Sequence, residues 1–348
     1  MKVAVENKCS EGYFTARWIK WLETNSIDYI LVNFSDSDII DTLRDVDVVL
    51  WHFSHASHPD YYLGKVLLTA LQYNKAVFPA PCDFWHFDDK VAQKYIFENL
   101  NIPTPKTDVF YSFSEAINFL KNSHYPLVAK LKGGAGSSNV KILTSKLQAM
   151  RYAIRSFTIG HRAIDRFSNL RFGLSKLLKG KSSLKDFFLT FIKIFIKSSF
   201  ERYSGNHKGY VLFQQFLPEN PFDQRVVVID NKAFALKRHV NDGDFRASGS
   251  GNITYDRTNI DSRCIEIAFD TAKKLSSNCL ALDFLYDANG ELVIAEISYG
   301  FHQDAYDHCE GYWTSDMEWC DGIVEPQKWI IESLLNTANK KILRINRD

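Results

Sequence analysis

Short apolar runs alternate with amphipathic stretches over the first 85 residues. The runs at 3–5, 29–34, 46–51 and 76–79 read as strands, since brief apolar runs bounded by polar residues suit a sheet covered on both faces. Between them, 14–23, 37–43 and 61–72 read as helices. This β-α-β-α order predicts a small parallel sheet covered by helices. Residues 88–100 read as another helix, closed by Ile102-Pro103-Thr104-Pro105, whose prolines enforce extended chain.

From residue 127 the pattern changes. Leu127-Val128-Ala129-Lys130 reads as a strand leading into Gly133-Gly134-Ala135-Gly136-Ser137-Ser138, followed by a strand at 140–143. Strand, glycine-rich turn, strand is a hairpin, unlike the strand-to-helix setting of a P-loop. Further strands are expected at 209–216, 225–229, 232–239, 280–286 and 291–297, with a helix at 263–275. Asn289-Gly290 is a hairpin turn signal. The second half therefore predicts a mainly antiparallel sheet backed by helices.

Composition narrows the partners. Of 348 residues, 45% are hydrophobic and 24% charged, which is ordinary for a folded globular chain. A formal charge of +1 gives no global field of the kind nucleic acid selects. The six cysteines form no C-x-x-C pair, and no secretory leader is read at the start, so reduced thiols and a cytoplasmic setting are expected. One segment stands apart. Residues 151–208 carry 13 Lys/Arg against Asp165, Asp186 and Glu201, while the remainder of the chain is acidic. Within it, 187–200 is apolar except for a stripe at Thr190, Lys193 and Lys197, which share one helical face.

Three groups of residues carry chemistry. Lys130 alternates with apolar residues at a strand end and needs an anionic partner there, and the glycines after it let backbone amides turn toward phosphate. Asp283 in Ala281-Leu282-Asp283-Phe284 and Glu296 in Ile294-Ala295-Glu296-Ile297 sit on two arms of one hairpin. Facing carboxylates in apolar strands are costly unless a cation lies between them. Arg225, Arg238 and Arg246 form a basic set, the last in a Gly/Ser-rich stretch suited to closing over an anion.

Together these pieces resemble the ATP-grasp superfamily, on the side of the ribosomal-protein glutamate ligases and glutathione synthetases. The resemblance runs from about residue 88 to 298. It rests on Asp89-Lys90, Tyr125-Pro126-Leu127-Val128-Ala129-Lys130, the glycine loop, Leu212-Phe213-Gln214-Gln215-Phe216-Leu217, Asp223-Gln224-Arg225 and Gly243-Asp244-Phe245-Arg246, and on Asp283 with Glu296-Ile297-Ser298. It implies an α/β chain with an N-terminal parallel lobe at 1–86 and an ATP-grasp domain of two α+β lobes at 87–336, interrupted by the basic insertion at about 151–208. It implies ATP and Mg²⁺ as cofactors. Lys90, Lys130, Gly133, Gly134, Gly136, Ser137 and Gln214, Gln215, Phe216, Leu217 would bind ATP. Asp283, Glu296 and Ser298 would hold the metal, although the family usually has Asn where Ser298 stands. Arg238 and Arg246 would hold the γ-phosphate and acyl phosphate, and Arg225 would orient the acceptor. Ala247-Ser248-Gly249-Ser250-Gly251, with the stretch from Tyr299 to Trp313, is similar to an ATP-grasp subgroup associated with bacterial surface-polysaccharide synthesis.

The implied activity joins a small or sugar-linked carboxylate to an amine. A phosphotransferase, or a nucleotide-binding protein without turnover, is the alternative. His52, His55 and His58 read as a loop cluster near Pro59, for substrate or solvent before zinc. Glu310, Asp316, Glu318 and Asp321 read as surface charges, with Trp313 and Trp319 beside them able to line an acceptor site. The basic segment has three readings: packing against the domain, docking of an acidic substrate, or weak contact with an anionic membrane surface.

Overall fold

A computed structural model of the chain describes residues 1–8, 13–54, 60–133, 139–162, 170, 174, 177, 183–192, 201–202, 205–241 and 251–345. The first lobe is built on β1 (Val3–Glu6), β2 (Tyr29–Val32), β3 (Val48–Leu50) and β4 (Ala76–Phe78), all parallel, in the order β2-β1-β3-β4. Helices α1 (Thr15–Thr24), α2 (Ile39–Thr42) and α3 (Asp60–Leu71) connect them. Thr15, Trp18 and Leu22 of α1 recur at three- and four-residue spacing and are fully buried, which fixes the face it turns to the sheet. The parallel lobe read from the alternating pattern is therefore present, with β1 one residue longer than its apolar run and the other three strands one to three residues shorter.

A short helix, α4 (Pro81–Phe84), leads into α5 (Lys90–Asn99), whose N-cap Asp89 accepts from the Val91 and Ala92 amides. The second lobe follows: β5 (Thr107–Phe110), α6 (Phe113–Lys121), β6 (Leu127–Lys130), β7 (Val140–Leu143) and α7 (Lys146–Phe157). A two-residue strand β8 (His161–Arg162), the helix α8 (Leu184–Ile192) and β9 (Asn206–His207) come next, and β10 (Val211–Gln215) completes an antiparallel sheet in the order β5-β10-β6-β7. Strand β5 and helix α6 are additions to the sequence reading. Mixed polar and aromatic residues there obscure both periods.

The third lobe is a large antiparallel sheet: β11 (Phe222–Ile229), β12 (Lys232–His239), β13 (Ile253–Thr254), β14 (Cys279–Tyr286), β15 (Leu292–Ser298), β16 (Gly311–Thr314) and β17 (Trp319–Asp321), in the order β15-β14-β11-β12-β16-β17 with β13 beside β12. Helix α9 (Ser262–Leu275) backs it, burying Cys264, Ile265, Ala268 and Ala272 against Val226, Val228 and Leu280. The C-terminal helix α10 (Pro326–Ile345) returns to the first sheet. Trp329, Ile330 and Ile331 there join Val3, Trp18 and Val49 in one core, together with Val227 and Phe234 from the other side of the third sheet. The first and third lobes thus share a core. The second has its own, around Leu120, Ala129, Leu143, Ala153 and Phe213.

Candidate active site

Strand alternation and register build the charged row. Asp283 on β14 lies opposite Arg225 on β11 and opposite Glu296 on β15, and Asp223 on β11 lies opposite Arg238 on β12. Directly paired residues share a face, as do residues two apart, so all five side chains emerge on the same side of the sheet. The other face carries Val226, Val228 and Leu282 into the core under α9. A register shift between Asp283 and Phe284 makes Ala295 an extra residue in β15, and this bulge is what sets Glu296 beside Asp283.

The cations that make the two carboxylates tolerable are supplied by the protein itself. Arg225 donates to Asp283 through Nε at 2.5 Å and through a terminal nitrogen at 2.7 Å. Arg238 makes the same fork to Asp223, both bonds 2.7 Å, and reaches Asp283 at 3.0 Å. Burial would raise the Asp283 carboxyl, but Arg225 and then Arg238 overcome it and hold it well below the ordinary carboxylate range. Asp223 moves the other way, through burial and the nearby charge of Asp283. The inference that facing carboxylates need a cation holds; arginine already answers it for Asp283.

Glu296 is answered from helix α5, whose Ile96 and Phe97 pack into the core behind the third sheet. Lys90 Nζ lies 2.9 Å from Glu296 Oε1 and 3.9 Å from Asp88 Oδ1. Two anchors fix it there. The Lys90 amide donates to the Lys132 carbonyl at 2.9 Å, tying α5 to the end of β6. Gln93, one turn on and buried, donates to the Ile297 carbonyl at 2.9 Å and accepts from the Ile297 amide, which clamps α5 to β15. Lys130, the last residue of β6, is pushed down to about 8 by burial, with the Glu296 charge opposing the shift. Lys90, Lys130 and Glu296 therefore meet between the second and third lobes, where the glycine-rich turn begins.

The remaining expected residues divide. Gln214, near the end of β10, donates to Thr107 Oγ1 at 2.9 Å, and Gln215, its last residue, is exposed. Phe216 and Leu217 follow, half-buried. Gly133 borders the site, its α-carbon facing the Asp88 carbonyl. The Ser298 hydroxyl donates to the Gly300 carbonyl at 2.8 Å and accepts from the Gly300 amide at 3.0 Å, so it closes a local turn directly after Glu296. Gly134, Gly136, Ser137, Arg246, His55 and His58 lie outside the described residues. His52 is stacked on Phe14 with ring centroids 3.9 Å apart and accepts from the Phe14 amide; burial pushes its imidazole down to about 3. A neutral histidine locked on an aromatic ring contributes shape, not charge. Among the described residues, no three of His, Cys, Asp and Glu gather closely enough to hold a metal ion by themselves.

Sequence reasoning passed over Asp223, Gln93 and Asp88. Asp223 had a readable signal: Asp-x-Arg in an alternating strand puts both side chains on one face. Gln93 had none, since its role depends on a strand about 200 residues away.

Three lobes, with these charges gathered where the second and third approach, invite comparison with known proteins. Residues 194–304 match the RimK-like ATP-grasp domain family. A RimK domain ATP-grasp protein from Sphaerobacter thermophilus superposes with a TM-score of 0.51 at 15% identity, covering 88% of this chain and 94% of that one. The fold is that of the ATP-grasp proteins. D-alanine–D-alanine ligase from Bacillus anthracis gives a TM-score of 0.55 at 14% identity, covering 98% of this chain and 99% of its own. The biotin carboxylase domain of the Hydrogenobacter thermophilus 2-oxoglutarate carboxylase, solved with MgADP and bicarbonate, gives 0.56 at 11% identity over 96% and 69%. No curated protein matches the sequence.

Proposed function

We propose that this chain is an ATP-dependent carboxylate–amine ligase working through an acyl phosphate, with MgATP held between the hairpin lobe and the third sheet. The observation that carries the reading is the charge arrangement at the cleft. Asp88, Asp223, Asp283 and Glu296 are matched by Lys90, Lys130, Arg225 and Arg238, on α5 and the turn before it, β6, β11, β12, β14 and β15.

Such a matched set fits a nucleotide with its metal better than either alone. A phosphate chain would draw Lys90, Lys130 and Arg238 to its oxygens, and the released Asp283 and Glu296 would take Mg²⁺, with the Ser298 hydroxyl as a third oxygen. The exchange keeps charge balanced at each step, which matters in a half-buried site. Bound MgATP supplies the γ-phosphoryl group and a cation to spread its charge. The chain's own part is positional. Lys130 and Arg238 would stabilise charge as it develops on the transferred group, the role also expected of Arg246 from the sequence, and Arg225 would hold the acceptor side once Asp283 served the metal. No side chain needs to form a covalent bond.

The substrate reading is a small or sugar-linked carboxylate and an amine, in modification of a bacterial surface polysaccharide in the cytoplasm. Its support is the resemblance carried by 247–251 and 299–313, and ATP-grasp neighbours described as ligases. The test is a hydroxylamine trap. Purified protein with MgATP, hydroxylamine and a panel of amino acids and sugar acids should release ADP and form a hydroxamate with one member. ADP release with a stable phosphorylated acceptor and no hydroxamate would assign a phosphotransferase. No ADP release with any acceptor would leave a nucleotide-binding protein.

A further inference from the structure

We infer that Tyr306 and Gln303, with the unbonded nitrogen of Arg225, form the subsite for the acid substrate, and that this acid is an amino or hydroxy acid; the inference rests on the ligase reading. Leu236 lies opposite Arg225 and Phe234 opposite Val227, so Phe234 shares the face of the third sheet that carries the charged row. The Tyr306 ring packs edge-on against Phe234, centroids 5.1 Å apart, and against Phe301 at 5.2 Å. Tyr306 thus stands on the border where core gives way to charge, and Arg225, Arg238 and Asp283 all act electrostatically on its hydroxyl.

The residue is firmly held. Its side chain is 2% exposed. Arg17 on α1 forks to Asp307 at 2.7 and 2.8 Å and reaches Asp304 at 3.0 Å, which pins the 3₁₀ turn Gln303–Tyr306 to the first lobe. Among the described residues, however, nothing hydrogen-bonds to the Tyr306 hydroxyl. Burial raises it to about 12 although Arg225 and Arg238 pull it down, so it remains a proton donor at neutral pH. Gln303 repeats the pattern. Side chains three apart in a 3₁₀ turn lie on one side of it, and Gln303 is buried with its amide oxygen unpartnered. Arg225 gives Nε and one terminal nitrogen to Asp283, and its other terminal nitrogen makes no hydrogen bond.

Buried polar groups are normally paired, so three unpaired ones at one border call for a ligand that pairs them. Two donors, the Tyr306 hydroxyl and the Arg225 nitrogen, suit a carboxylate. One acceptor, the Gln303 oxygen, suits an ammonium or hydroxyl group on the neighbouring carbon. A phosphate chain would satisfy the donors but set the acceptor against an anion. An acid without such a second group would leave Gln303 unpaired. The border lies on the Arg225 side of Asp283, away from the Lys90–Glu296 contact, because β11 and β15 flank β14. Nucleotide phosphate drawn to the lysines would therefore meet the acid across Asp283.

The experiment is ligand-observed NMR on the full chain with MgADP, using alanine, lactate and propionate, three probes of one carbon skeleton. Alanine or lactate should bind, and propionate should bind roughly tenfold more weakly or worse. Tyr306→Phe should weaken the bound probe by roughly tenfold or more, the effect of one hydrogen bond to a charged group. Because that hydroxyl has no partner in the free protein, the urea midpoint and MgADP affinity of Tyr306→Phe should match the parent. Gln303→Leu should erase the preference over propionate, a ratio that reads the subsite even if Tyr306→Phe folds poorly. Equal binding of all three probes, no binding of any, or a lowered midpoint with unchanged probe binding would each overturn the inference. Probe binding that depends on Tyr306, in a protein that releases no ADP in the hydroxylamine trap, would sink the ligase reading alone.

Discussion

Asp283→Asn tests whether the charged row is first of all a piece of structure. The change keeps shape and one acceptor oxygen but removes the anion lying between two guanidinium groups, its own side chain only 12% exposed. Arg238 keeps its fork to Asp223, whereas Arg225 loses the carboxylate that holds it through two nitrogens. Removing one member of a buried ion pair costs about 3–5 kcal/mol, and the retained acceptor puts this case near about 3. At a urea slope of roughly 3 kcal/mol per molar, the midpoint falls by about 1 M. Glu296→Gln is the control. Its side chain is 31% exposed, the amide keeps an acceptor oxygen, and Lys90 keeps Asp88 at 3.9 Å, so it should cost less than about 1 kcal/mol.

The two variants should therefore separate. Both lose MgATP turnover, because each loses a proposed metal oxygen, but only Asp283→Asn loses stability. The acid limb gives the sign. Asp283 is held below its unfolded value, so its contribution is present above about pH 4 and is lost as pH falls through the folded pKa. The gap between parent and Asp283→Asn should close in acid. Equal urea midpoints for the two variants at neutral pH, or a gap that persists unchanged into acid, would refute the assignment of the arginine pair to Asp283.

Three further outcomes follow from the same geometry. Lys130 sits near 8, so nucleotide phosphate should draw a proton onto it; calorimetry between pH 8 and 9 in buffers of different ionisation enthalpy should show proton uptake on MgATP binding, absent in Lys130→Met. Ser298→Asn should retain Mg²⁺-dependent ATP consumption, since the amide oxygen can serve as a metal ligand, while Ser298→Ala should raise the Mg²⁺ requirement severalfold; an inactive Asn variant beside an unchanged Ala variant would remove Ser298 from the metal shell. Asp83, buried against Ser277 with its carboxyl raised to about 7, favours the protonated fold, so its contribution is full below about pH 4 and lost as pH rises to 7. Asp83→Asn should remove that loss, so its melting temperature measured against the parent's should rise from about pH 4 to 7; Glu6, Asp223 and the buried histidines titrate alike in both proteins and cancel in the difference.

How much of this was legible in the chain depends on distance. The parallel first lobe is written in consecutive apolar runs, and the β14–β15 hairpin in Asn289-Gly290 with a carboxylate on each arm. These are local patterns, and local sequence carries them. The C-terminal helix α10 was passed over although it completes the first core, because Trp329 and Ile330 find their partners some 300 residues earlier. Gln93 reads as an ordinary polar helix position until β15 lies against it.

The reasoning about buried charge shows the same limit from the chemical side. Two carboxylates in apolar strands were taken to require a cation, and the requirement is physical and general. Its answer is not local, because a cation can arrive as metal, lysine or arginine. Asp283 is met by Arg225 from the neighbouring strand, a contact that alternation and register could have foreseen once β11 and β14 were paired. Glu296 is met by Lys90 from helix α5, which no strand pattern encodes. Arg225 and Arg238 grip Asp283 from the same sheet, whereas one lysine, on a helix that Gln93 clamps to β15, holds Glu296. The two carboxylates therefore differ in how many cations must be drawn away before either is free to bind another partner.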